Sequence, residues 1–299
     1  MLTFFHPMLA LLLAPLLQGV ITNTKAFFAG RQGPTLWQPY YDLFKLLRKS
    51  SVYSDTTTWV FRLGPIAGLA IEVLCLVFLP LGNLRAAFSF HGDLIFIIYL
   101  LALHRFFTVI AAMDTGSAFE GMGASREMAF SALAEPALLF GLAAVARKTG
   151  SLSLDNLIHS ITPGLWEANA AAFTLVIAGL FLVFLAENSR IPVDDPTTHL
   201  ELTMIHEVMV LDHSGVDFAL IEYASSLKLW VLGTILVGIA LPFRTDYLIG
   251  DVPIMFLGLL ALALVVGIIE STMARLRLLH IPQLMVGACV FSVVGFLIQ

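Results

Sequence analysis

The sequence predicts an all-α, polytopic membrane protein: about eight transmembrane helices plus one interfacial amphipathic helix, forming a single membrane domain over residues 1–299. Three observations carry that expectation. The chain is 59% hydrophobic and 12% charged, with a mean hydropathy of +0.90, which separates it from soluble domains. Eight segments approach the roughly 20 apolar residues that a helix needs to cross a hydrocarbon core of about 30 Å. They are about 2–22, 63–82, 93–112, 128–146, 168–186, 227–243, 252–270 and 280–298. Finally, eight acidic residues crowd into the single stretch 187–228, as expected if charge is tolerated only where it pairs, meets water or has a task.

Taken in order, the first span has neither a basic n-region nor a small-residue cleavage site after it, so Leu2 to Ile21 reads as a membrane helix and not a removed leader. In the following loop, Gly33-Pro34 supplies a turn. From Trp37 to Leu46, aromatic and apolar residues then recur at helical spacing around Asp42 and Lys45. That pattern is an interfacial amphipathic helix with Trp and Tyr at headgroup depth, and it is placed to wall a chamber at the membrane surface. The second span carries Glu72 and the third Arg105. Cys75 and Cys289 both fall inside spans, which excludes a thiolate-bound zinc or iron–sulfur cluster in this chain and reads as two structural thiols. The loop Asp114–Glu127 is rich in glycine but lacks a Gly-Lys-Ser/Thr ending, so it does not bind phosphate.

Glu135 precedes Pro136 about two turns inside the fourth span. It reads either as an ion-pair partner of Arg105 or Arg126, or as part of a proton path, the usual task of an intramembrane carboxylate. Glu72 and Glu270 are weaker candidates of the same kind. Pro80, Pro136, Pro242 and Pro282 sit near span ends, where a lost hydrogen bond costs least. No internal repeat is visible, which disfavours a secondary transporter.

Loop charge gives the orientation. Lys25, Arg31, Lys45, Arg48, Lys49, Arg62, Arg126, Arg190, Lys228, Arg275 and Arg277 belong to one side, against Arg85, Arg147, Lys148 and Arg244 on the other. The positive-inside rule then puts both termini outside and the loops 23–62, 113–127 and 187–226 inside, as one cytoplasmic docking face.

Within the acidic stretch, His206-Glu207 opens like a zinc-binding His-Glu-x-x-His, but position 210 is Val210. His199, His206 and His213 recur every seven residues. On one helical face that puts neighbours about 10 Å apart, too far for a shared metal. Histidines interleaved with carboxylates suit proton relay instead. Asp195, Asp212 and Asp217 read as solvated charges or partner contacts.

The ordered motifs resemble subunit 1 of respiratory complex I (the NuoH type) and its homologues in energy-converting membrane hydrogenases. The complex I loop signature Glu-Thr-Asn-Arg-x-Pro-Phe-Asp is matched by Glu187-Asn188-Ser189-Arg190-Ile191-Pro192-Val193-Asp194, which keeps Glu, Arg, Pro and Asp. Glu222-Tyr223, Arg31-x-Gly33-Pro34 with Asp42 and Lys45, Gly123-Ala124-x-Arg126 and Glu135 match in the same order. Gly116-Ser117, Gly123 to Glu127, Glu135-Pro136 and Glu270 to Arg277 are most similar to subunit 4 of formate hydrogenlyase and its hydrogenase-4 relatives.

That resemblance implies a non-catalytic subunit that anchors a hydrophilic redox arm and couples electron transfer to proton or ion translocation. It implies a proton path through Glu135, Glu187, Asp194, Glu201, Glu207 and Glu222, with His199 and His206. Arg31, Asp42, Lys45, Arg126, Arg190, Arg275 and Arg277 would pair and dock. No cofactor is expected in this chain; iron–sulfur clusters and a nickel–iron centre would belong to partner chains. In complex I the equivalent pocket receives a quinone headgroup. Expected partners are antiporter-like membrane subunits and a hydrogenase- or dehydrogenase-like arm, in a prokaryotic inner membrane. One departure stands out: the interval Asp195 to Leu202 carries His199 and threonines where the family has a denser run of glutamates. Two other readings remain open, a quinone-pocket subunit and a membrane anchor without a coupling role.

Overall fold

The structure, a computed structural model, describes residues 4–194, 205–243 and 248–298. These form twelve α-helices. In chain order they are α1 (Phe5–Phe28), α2 (Gln38–Leu47), α3 (Trp59–Val77), α4 (Asp93–Asp114), α5 (Ala118–Thr149) and α6 (Leu154–Ser160). They continue with α7 (Pro163–Ala168), α8 (Ala170–Glu187), α9 (His206–Met209), α10 (Gly215–Ala240), α11 (Leu248–Thr272) and α12 (Ile281–Leu297). Eight helices among the described residues are long and apolar enough to cross a membrane, namely α1, α3, α4, α5, α8, α10, α11 and α12, the last extended by a 3-10 turn from Leu278. The all-α, eight-span expectation holds.

Several boundaries moved. α5 begins at Ala118 and α10 at Gly215, about ten residues before the apolar segments do. Hydropathy marks where hydrocarbon begins, whereas a helix continues into water as long as its backbone bonds and first-turn groups are satisfied. With 32 residues, α5 is roughly 48 Å long at 1.5 Å per residue, well beyond the hydrocarbon thickness. The loop expected at 113–127 therefore shrinks to 115–117, and the loop expected at 187–226 ends before Gly215, so Glu222 lies on a helix.

α10 is the central post. It packs against α1, α2, α3, α8 and α11, and 78% of its spanning window is buried. Trp230, fully enclosed on α10, donates its indole N–H to His6 Nε2 at 3.1 Å, and His6 Nδ1 meets the Leu79 carbonyl at 2.9 Å. This pairing fixes the ring's tautomer and ties α1, α10 and the α3–α4 connection together. On the same face of the bundle, Asp93 accepts from Leu154 N–H at 2.6 Å and the Ser153 hydroxyl at 3.0 Å, anchoring the α5–α6 turn to α4.

The opposite, polar face carries residues 29–58, 115–117, 188–194, 205–214 and 273–277. There Gly215, at φ 56°, lets the backbone of Ser50 approach the start of α10. Ser214 Oγ accepts from Val52 N–H at 2.9 Å, so the first and third polar loops are stitched together beside α10.

α12 lies against α5 and α8 along small residues. A Cβ on Gly179 of α8 would come within 2.6 Å of Ser292 Oγ and 2.9 Å of the Ala288 carbonyl. Close backbone approach of this kind substitutes for a hydrophobic drive between helices in lipid. Gly179→Ala should therefore destabilise the bundle by about 1–3 kcal/mol, the usual cost of overpacking, measured by unfolding in mixed micelles; an unchanged midpoint would refute the tight seam.

Candidate functional site

The site is built around a buried arginine. Arg105 sits on α4 with its side chain 5% exposed. Its guanidinium contacts three carboxylates: Glu127 through Nε at 3.3 Å, and Glu135 and Glu187 through its two terminal nitrogens. Glu127 and Glu135 are eight residues apart on α5, a little over two turns, so Arg105 fits between them. Glu187, the last residue of α8, also binds Lys228 of α10 at 2.9 Å. Three acids and two bases from four helices thus share one cluster, which opens to the flank of the bundle at Glu135. Counted as full ions, they leave one negative charge uncompensated.

The cluster borders two cavities. A small chamber of about 50 Å³, open on one side, lies between α3, α4, α9 and α10, and His104, Arg105, His206 and Lys228 face it. A second cavity of about 20 Å³ reaches from Glu127 and Glu187 to Asp194. Glu127, Glu187 and Ser189 line both. The second cavity leads to the polar face, where Asp194 pairs with Arg275 at 2.6 Å and accepts from the backbone N–H groups of Ile205 and His206 at 3.2 and 3.0 Å. Arg190 lies 3.5 Å from Glu270, which also holds Lys25 at 3.0 Å. Leu276 N–H donates to the Pro192 carbonyl at 3.0 Å. The segment Arg190–Asp194 is therefore clamped to the ends of α1 and α11.

A third pocket, about 190 Å³, lies under α2 against α1 and α10, with Asp42 and Glu222 among its polar lining groups. Gln38 Nε2 donates to Asp42 Oδ1 at 3.0 Å. Among the described residues no group of three or more His, Cys, Asp or Glu side chains is arranged to hold a metal ion.

The NADH dehydrogenase family matches residues 1–298. The chain belongs to that family. Formate hydrogenlyase subunit 4 of Escherichia coli (strain K12) is 32% identical over 289 residues, covering 95% of this chain and 93% of that one. Hydrogenase-4 component C of the same strain is 32% identical over 277 residues, covering 91% and 86%. The fold is shared with a chain in the structure of the membrane-bound sulfane sulfur reductase, an archaeal respiratory membrane complex. There the TM-score is 0.86 at 19% identity, covering 99% of this chain and 98% of the other.

Of the residues read from the sequence as family motifs, the structure brings Glu135 and Glu187 together on Arg105, and joins Asp194 to them through a cavity. His206 faces the chamber, and Glu207 is half-buried beside it. Glu222 is separate from the cluster, facing Asp42 in the pocket under α2. Arg31, Lys45 and Arg277 are exposed, while Arg126 is half-buried with Nη2 3.1 Å from Met122 Sδ. Arg275, expected to anchor or dock outward, turns inward onto Asp194 because that carboxylate is 2% exposed and needs a cation. Asp195, His199 and Glu201 lie outside the described residues.

Two expectations fail. His206 and His213 do not share a helical face, because α9 stops at Met209 and His213 stacks on Phe61 at 3.9 Å between ring centroids. Asp217, expected to be a solvated charge or a partner contact, is buried within this chain, with its backbone N–H donating to Ser51 Oγ at 3.3 Å. The sequence reading also passed over Glu127 and His104. The available signal was the adjacent pair His104-Arg105 deep in an apolar span, which demands acidic partners on neighbouring helices.

Burial pushes His206 down to about 4, helped by the positive charge of Lys228 and by His104. Burial also lowers His213 to about 4, against the opposing pull of Asp217. Both rings are thus neutral near pH 7. A histidine with a depressed folded-state value contributes stability that is complete above about 6.5 and is lost as pH falls towards 4. Amide protection in residues 205–214 should therefore fall between pH 6.5 and 4, corrected for intrinsic exchange, and His206→Gln should flatten part of the decline. A flat profile in the parent protein would refute the buried, neutral assignment.

Proposed function

We propose that this chain is the membrane subunit of an energy-converting, hydrogenase-type complex related to complex I. In this role it anchors a hydrophilic redox arm and couples electron transfer to proton translocation. The observation that supports this reading best is the Arg105 cluster. It runs from Glu187, beside the loop carrying Asp194, to Glu135 on the flank of the bundle. Its uncompensated negative charge is costly in a low-dielectric interior, and gaining one proton removes that cost. A proton supplied from the polar face can be held there and passed between carboxylates bound to the same guanidinium.

The wider arrangement follows from the same chemistry. Iron–sulfur clusters and a nickel–iron centre belong to partner chains of the redox arm, which docks on the polar face through exposed groups such as Arg31, Lys45 and Arg277. The positive charge of that face supports an orientation with both termini outside the inner membrane. The Glu135 side chain is 43% exposed on the bundle's flank. A carboxylate facing hydrocarbon there is expensive, so an antiporter-like membrane subunit covers it and receives the proton.

Redox-driven proton release should be measured in vesicles carrying the assembled complex. Glu135→Gln and Glu187→Gln should each slow it on the order of 100-fold, the scale lost with a proton-transfer group, while both variants still assemble. Parental proton yield in both would remove the relay assignment and leave a plain anchor.

A quinone-reactive subunit is the second reading, favoured by the pocket under α2, which combines Gln38, Asp42 and Glu222 with apolar walls. On that reading the complex reduces a short-chain quinone analogue, and Asp42→Asn raises its KM; absence of any quinone-linked activity eliminates it.

A further inference from the structure

Glu72 is a buried acid that the Arg105 cluster does not use. It sits on α3, fully enclosed. Its Oε1 meets His104 Nδ1 at 2.5 Å, while Oε2 is buried without a hydrogen-bond partner. His104 immediately precedes Arg105 and faces the chamber. The Nε2 edge of its ring lies over Gly68, where an added Cβ would come within 3.3 Å. The ring thus spans the chamber wall, with one nitrogen on Glu72 and the other toward the space shared with His206 and Lys228.

The simpler explanation is a staple between α3 and α4. Three points count against it. A staple would be at least as stable made from apolar side chains, and it gives no reason for an unpartnered carboxylate oxygen, which costs free energy. Nor does it explain why the ring opens onto a chamber that Arg105, His206 and Lys228 also line.

We propose that Glu72 and His104 form a proton-holding pair that branches off the chamber and exchanges through His104 Nε2. The proposal rests on the coupling role given above. In the empty state a neutral imidazole donates its Nδ1–H to the Glu72 carboxylate, and the pair carries one negative charge. Loading begins when the Nε2 lone pair takes a proton from the chamber. The Nδ1 proton then passes to Glu72 Oε1. The products are a neutral carboxylic acid and a neutral ring with its proton on Nε2. One proton is gained, no electron moves, and the buried charge disappears. Unloading is the reverse. Lys228 links this branch to the main cluster: while Glu187 is ionised it partners the lysine, and a proton arriving at Glu187 leaves that positive charge to stabilise the empty, anionic state of the His104–Glu72 pair. The two sites therefore hold protons in alternation.

The test is redox-induced infrared difference spectroscopy on the purified complex, paired with proton release from vesicles. The parent should show a protonated-carboxylic-acid band that disappears in Glu72→Gln and persists in Glu135→Gln. His104→Gln, which keeps a donor for Glu72 but cannot relay, should slow proton release on the order of 100-fold and leave electron transfer intact. An unchanged band in Glu72→Gln, or parental release in His104→Gln, overturns the proposal. If Glu72→Gln does not assemble, His104→Gln decides alone. If the parent complex moves no protons, the coupling role fails, and the Glu72 band decides the pair by itself.

Discussion

A guanidinium as enclosed as that of Arg105 must be surrounded by acceptors, because taking a charge out of water costs several kcal/mol even after the protein relaxes. Its planar fork of donors can meet several carboxylates at once, and here it meets three from two helices. That requirement fixes much else in the bundle. It sets the rotation of α5, which must present Glu127 and Glu135 on one side. It sets where α8 ends, with Glu187 turned inward. It also brings in Lys228 from the central post, since one cation does not balance three acids.

The clamped loop follows from the same logic one layer nearer the surface. Asp194 and Glu270 are each nearly inaccessible, and each is matched by cations from a different element. Arg275 comes from the turn after α11, Lys25 from the end of α1, and Arg190 from the loop itself. The segment 190–194 is thus fixed to the bundle by charge pairing as well as by the Leu276–Pro192 backbone bond. A redox arm seated on this face would meet a rigid surface directly above the cavity that joins Asp194 to Glu187.

The eight spans were legible because the length of an apolar run is dictated by the bilayer, and the amphipathic helix because Gly33-Pro34 and the aromatic spacing mark it. The polar ends of α5 and α10 were not legible. Hydropathy is silent about helix that continues past the membrane, so Glu222 and Asp217 were assigned to a loop. Glu135 and Glu187 were found by motif and by the cost of intramembrane charge, and Arg105 was named as a partner for Glu135. What one sequence could not supply was the third dimension: that Arg105 serves Glu187 and Glu127 as well, that Lys228 belongs with them, and that Glu72 ends beside His104. Those relations depend on the azimuth of each helix, and spans that are apolar on every side carry no periodic signal for it.

The geometry also bears on how such a site could couple without large movement. Unit charges about 4 Å apart interact by about 4 kcal/mol at an effective dielectric constant near 20, worth roughly three decades in proton affinity. Glu187 lies within that range of both Lys228 and Arg105, and Arg105 within that range of Glu127 and Glu135. Neutralising Glu187 therefore changes the balance at the remaining carboxylates by an amount that decides their occupancy. The neutral rings of His206 and His213 matter for the same reason. A permanently charged imidazolium in the chamber would compensate the cluster's spare negative charge and remove the drive to take up a proton.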